Sequence, residues 1–151
     1  MVNVIALFLT GLTLLPAASQ PYDEHADART EIARMLECAK AENRPLLLMF
    51  GANWCPWCRK LDRLLTTDRR LARLADDAVL RLNIDVGQYD RNMDLARGYG
   101  LEALDDTGIP MLVVLRPDGT VQSLKNSDDF VTGSRYVSGS IERFLLACKR
   151  H

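Results

Sequence analysis

Histidine is nearly absent from this chain of 151 residues: there are two, His25 and His151, near opposite ends. Cys38 and Cys148 are isolated as well, so no second pair of Cys or His stands at a spacing that would complete a zinc site. Positive charge is not in excess, since 19 Lys and Arg face 20 Asp and Glu. That balance argues against the basic patch of a nucleic-acid binder and against a polybasic membrane anchor. The apolar run near the N-terminus, Val4 to Leu15, falls short of the roughly 20 residues that a membrane-spanning helix requires. Internal repeats, low-complexity tracts and linkers are missing, so one domain with its own core is expected.

The same apolar run is followed by Pro16 and then by Ala17-Ala18-Ser19, small residues of the kind that precede a signal-peptidase cut. Residues 1–19 are therefore expected to be a signal peptide and residues 20–151 a single domain, periplasmic or secreted, where disulfides persist. Met1-Val2-Asn3 carries no Lys or Arg, which departs from the pattern, and a buried N-terminal element is the alternative.

What is present is Trp54-Cys55-Pro56-Trp57-Cys58. Residues i and i+3 on a first helical turn are surface neighbours, so two sulfurs so placed can close a small ring reversibly. Pro56 suits the start of a helix, because it lacks only an N–H that would have no partner there. Cys55 then stands at the helix N-terminus, where free N–H groups and the macrodipole favour thiolate, and is expected to attack. Cys58 continues into Leu61 and Leu65 on the inward stripe and is expected to resolve. The apolar run Pro45 to Phe50 reads as a strand buried on both faces, leading straight into the couple.

Elsewhere, Gln20 to Ala26 reads as a polar lead-in, and Asp27 as the N-cap of a helix to about Glu42, with Ile32, Met35, Leu36 and Ala39 on one face. Cys38 lies off that stripe as a partly exposed spare thiol. Thr66-Thr67-Asp68 is expected to break the second helix before a short piece, Arg69 to Leu74. Arg59 and Lys60 are positioned to stabilise the Cys55 thiolate or to remain solvated. Val79 to Asp85 reads as a strand, Asp90 to Tyr99 as a loop with a short helix, and Thr107 to Leu115 as a strand entered through Pro110. Arg116-Pro117-Asp118-Gly119 signals a hairpin turn into Val121 to Leu124. Lys125 to Val137 reads as loop, and Ser138 or Ser140 as the cap of a last helix that buries Ile141, Phe144, Leu145 and Cys148.

This order closely resembles the thioredoxin-like family over roughly Asp27 to Lys149. The residues that carry it are Gly51 to Cys58, Arg81 to Asp85, and Gly108-Ile109-Pro110. The resemblance implies an α/β fold with a central mixed β-sheet and helices on both faces. It also implies a cis Pro110 beside the disulfide, with the Ile109 backbone pairing to an extended substrate. Two departures stand out. The place six residues before the first cysteine, a buried aspartate in thioredoxin proper, is Met49, which leaves the proton route of Cys58 to water or another residue. The dipeptide Pro56-Trp57 is neither the Gly-Pro of reducing thioredoxins nor the Pro-His or Gly-His of oxidases and isomerases.

The expected activity is thiol–disulfide exchange with protein substrates through Cys55 and Cys58, more in the direction of a reductase. Trp54, Pro56, Trp57, Ile109 and Pro110 are the expected substrate contacts. No cofactor beyond the couple is expected; the expected partners are protein thiols or disulfides and an upstream thiol reductant or oxidant, and the expected state is a monomer. A module that binds Cu(I) or another soft ion through Cys55 and Cys58, with Met49 or Met111 nearby, is the rival of a different class.

Overall fold

The computed structural model describes residues 20–149; the expected signal segment, 1–19, lies outside the described residues. Four strands form one mixed sheet in the order β2-β1-β3-β4: β1 (Leu46–Gly51), β2 (Leu80–Asp85), β3 (Met111–Leu115) and β4 (Val121–Asn126). β1 runs parallel to β2 and antiparallel to β3, and β3 and β4 form the expected hairpin. Every residue of β1 and β3 is buried, which is why both read as unbroken apolar runs.

The alternation along β1 divides the core in two. Leu46, Leu48 and Phe50 face a layer with α1 (Ala28–Glu42), which contributes Ile32 and Ala39, and α4 (Met93–Gly98), which contributes Leu95. Leu47 and Met49 face the opposite layer. That layer is built from α2 (Pro56–Thr67), α3 (Arg69–Ala78) and α6 (Ser138–Cys148), which supply Leu61, Leu65, Leu71, Ile141 and Leu145. The sheet with helices on both faces is the fold that the resemblance implied. Among the described residues no helix is long and apolar enough to cross a membrane.

Asp27 caps α1 as expected, accepting from the N–H groups of Arg29 and Thr30. Several local expectations need correction. α3 runs on to Ala78, a full turn beyond Leu74, because Ala75 and Ala78 continue its buried stripe. A short α5 (Leu104–Thr107) precedes the cis proline. The stretch expected to be loop after β4 holds a 3-10 turn, Ser127–Phe130, and a small hairpin of β5 (Val131–Thr132) and β6 (Arg135–Tyr136), with Phe130 and Tyr136 buried. Neither Ser138 nor Ser140 caps α6: Ser138 lies within its first turn, and the Ser140 hydroxyl accepts from Arg143. The entry of α6 is held instead by backbone, with the Val137 N–H donating to the Phe130 carbonyl at 2.7 Å.

Candidate functional site

Cys55 and Cys58 are joined by a disulfide, with Cα atoms 5.3 Å apart. β1 delivers the chain to this point and Pro56 opens α2 as its first residue, so Cys55 is the N-cap. Its sulfur accepts from the Cys58 N–H at 3.1 Å, as the sequence led one to expect for a sulfur at a helix N-terminus. Cys58 is wholly buried and Cys55 is 4% exposed.

The peptide bond Ile109–Pro110 is cis, and the Ile109 carbonyl oxygen lies 3.6 Å from the Cys55 sulfur. The couple and the proline loop thus meet although they are far apart in sequence. Ile109 is half-buried and Pro110 buried, while Pro56 is exposed at the helix start.

The two tryptophans diverge. Trp54 is 45% exposed; its indole N–H donates to the Gly87 carbonyl at 2.7 Å and its ring meets Tyr89 edge-on. Trp57 turns the other way, edge-on to Tyr136 at 5.2 Å between ring centres, and packs against the disulfide. Lys60, read from sequence as a possible aid to the Cys55 thiolate, instead places its ammonium over the Trp57 ring and donates to the Ser134 carbonyl. Arg59 is exposed and lines a surface hollow with Arg63 and Thr66.

The loop that receives Trp54 is fixed from beneath by Asp85, a buried carboxylate. It accepts from the Gly87 N–H and pairs with Arg91, each at 3.0 Å. Burial raises the Asp85 carboxyl above its ordinary range, and the Arg91 guanidinium and the Gly87 N–H partly offset this.

The segment read as a polar lead-in proves to be part of the site. Tyr22 is 1% exposed and packs directly on Cys55 and Cys58. It is held there by Asn53, whose side chain accepts from the Tyr22 N–H at 3.0 Å and donates to the Tyr22 carbonyl at 2.8 Å. Asn83 adds a bond to the Pro21 carbonyl and another to Asp62. The signal available in the sequence was slight: one large aromatic in a short polar run.

Met49, in the place of the family's acid, is buried in the apolar layer with Leu61 and Leu65, whereas Met111 belongs to the opposite layer. The two thioethers therefore lie on opposite sides of the sheet. Among the described residues no three of His, Cys, Asp and Glu are grouped as a metal site.

A family model described as thioredoxin-like matches residues 27–117. A stretch of the thiol:disulfide interchange protein DsbD of Ralstonia nicotianae is 30% identical over 95 residues, 59% of this chain but 16% of that much longer protein. The crystal structure of a disulphide isomerase from Xylella fastidiosa superposes with a TM-score of 0.76 at 37% identity, covering 87% of this chain and 98% of that one. The C-terminal domain of DsbD from Neisseria meningitidis, in its oxidised form, shares the fold at a TM-score of 0.56 and 24% identity, over 79% of this chain and 94% of that domain.

Proposed function

The chain belongs to the thioredoxin-like family of thiol–disulfide oxidoreductases, and from that premise we propose that it exchanges disulfides with exported protein substrates, running as a reductase. The observation that carries the reading is the Cys55–Cys58 disulfide at the start of α2, with the carbonyl before a cis proline 3.6 Å from Cys55. An extended substrate laid along Ile109 would bring its own disulfide up to the Cys55 sulfur.

In the reduced protein the Cys55 thiolate attacks one substrate sulfur, and the other leaves as a thiolate. Cys58 then attacks Cys55, the bond to substrate breaks, and the substrate departs with two electrons while the couple is left oxidised. The couple itself supplies the redox chemistry. Trp54 and Ile109 would guide the client at the mouth of the site. An upstream thiol donor must return the couple to its reduced form, and residues 1–19 would direct export to the periplasm.

The start of α2 supports that direction. A couple is strongly oxidising when its reduced form is strongly stabilised. Here the intervening Pro56-Trp57 adds no imidazole donor to the N–H groups that any helix start offers the Cys55 sulfur.

Equilibration with glutathione buffers, with free thiols counted by mass after alkylation, gives the potential. A value near about −270 mV supports a reductase and one near roughly −120 mV an oxidant. Cys55→Ser is expected to reduce exchange to the uncatalysed rate, and Cys58→Ser to accumulate the mixed disulfide; exchange that survives Cys55→Ser would overturn the assignment.

A further inference from the structure

The Tyr22 hydroxyl is a buried polar atom with no hydrogen-bond partner, and it lies against the redox couple. Such an orphan is costly in a folded protein and calls for a physical explanation. Gly51 shows where the hydroxyl is aimed. A methyl group placed on Gly51 would collide with the Tyr22 hydroxyl and with the Cys58 sulfur, 2.9 Å away, so oxygen and sulfur both press on the one spot that the missing side chain of Gly51 leaves to them. The segment that carries Tyr22 is tied down by the paired bonds to Asn53 and by Asn83, so this placement is built into the site.

We propose that the Tyr22 hydroxyl donates a hydrogen bond to the Cys58 sulfur in the reduced protein, and so serves the resolving cysteine in the place where Met49 has removed the family's acid. The proposal rests on Cys55 and Cys58 being the working redox couple. In the disulfide, Cys58 has a weakly accepting sulfur and the hydroxyl is left unpaired. On reduction the same sulfur can ionise to a thiolate, a far better acceptor, and the bond can form.

Tyr22 acts as a donor and not as a base. Burial, reinforced by the negative charge of Asp62 and Asp85 and by Tyr136, pushes its phenol far above the ordinary value, so it keeps its proton. These three are also the titratable groups that bear on the phenol: Asp62 from α2, Asp85 from the end of β2, and Tyr136 from β6. In the resolving step the Cys58 thiolate forms its bond to Cys55 and the bond from Cys55 to substrate breaks. The substrate sulfur leaves with the electron pair and takes a proton from water. The substrate is reduced, the enzyme couple is oxidised, and Tyr22 neither gains nor loses a proton.

Tyr22→Phe keeps the ring and removes the oxygen. In glutathione buffers it is expected to shift the dithiol–disulfide equilibrium about tenfold toward the disulfide, a potential about 30 mV more negative than wild type. In single turnovers, the pH at which the Cys55 mixed disulfide resolves at half its maximal rate should move upward. The oxidised variant should melt no lower than wild type, since it loses an unpaired group. Gly51→Ala, whose methyl would force the hydroxyl out of its place beside the sulfur, should shift the equilibrium the same way and stands in if Tyr22→Phe does not fold. Equilibria within twofold of wild type with unchanged pH profiles would overturn the proposal. So would an oxidised Tyr22→Phe protein destabilised as much as the reduced one, the mark of a packing role alone. A wild-type protein without any reversible transition would instead remove the oxidoreductase reading on which the proposal rests.

Discussion

At the scale of single residues, Gly51 and Cys58 illustrate how close packing and reactivity constrain each other. The space that a side chain at position 51 would need is already held by Tyr22 and by the Cys58 sulfur. Gly51→Ala is therefore expected to lower the stability of the oxidised protein by about 1–3 kcal/mol, as overfilled cores generally do; denaturant unfolding would measure it, and a variant as stable as wild type would show that Tyr22 can move aside. Cys55, Cys58 and Pro110 were legible in the sequence because their chemistry resides in short-range spacing. Tyr22 was not, since what holds it is Asn53, 31 residues away. Met49 was legible as an absence but not as a consequence, because the group argued to replace it comes from another part of the chain.

Among the elements, the joint between α2 and α3 turns on one side chain. Asp68 ends the first helix and caps the second, accepting from the N–H groups of Arg70 and Leu71 at 3.1 and 3.0 Å. Asp68→Ala should cost about 1 kcal/mol, seen as a lower melting temperature, with the Cys55–Cys58 potential unchanged because Asp68 stands at the end of α2 opposite the couple. Long elements with a strong apolar pattern, such as β1, β3 and α1, could be read from sequence because burial dictates their composition. The short pieces escaped. The four residues of α5 and the two-residue strands β5 and β6 are too brief to show periodicity. The polar Lys125 to Val137 stretch conceals Phe130 and Tyr136, two buried aromatics that anchor it. The start of α6 was assigned to serines on propensity alone, whereas a backbone bond from Val137 fixes it.

For the molecule as a whole, two apolar layers on a four-stranded sheet bring titratable groups inside. Burial pushes the Cys148 thiol from its ordinary 9.0 up to about 11, and the Tyr136 phenol from 10.0 up to about 12. Both lie in the layer formed with α2, α3 and α6. In the unfolded chain they lose protons at ordinary values, so over this range the unfolded state binds fewer protons than the native one. The stability that these neutral groups contribute is complete below about pH 9 and is lost as the pH rises through the folded values. Stability measured by denaturant unfolding should thus fall from about pH 9 to 11, and Cys148→Ala should flatten the first part of that fall. An equal slope in the variant would assign the alkaline loss to other groups.

The opposite orientation of the two indoles also makes the molecule its own optical gauge. An excited indole is quenched by electron transfer to a disulfide it touches, and Trp57 packs on that disulfide while Trp54 is bound to the loop at Gly87. The emission of Trp57 is thus expected to brighten as electrons reach the couple, while Trp54, held away at Gly87, supplies the steadier background against which that change is read.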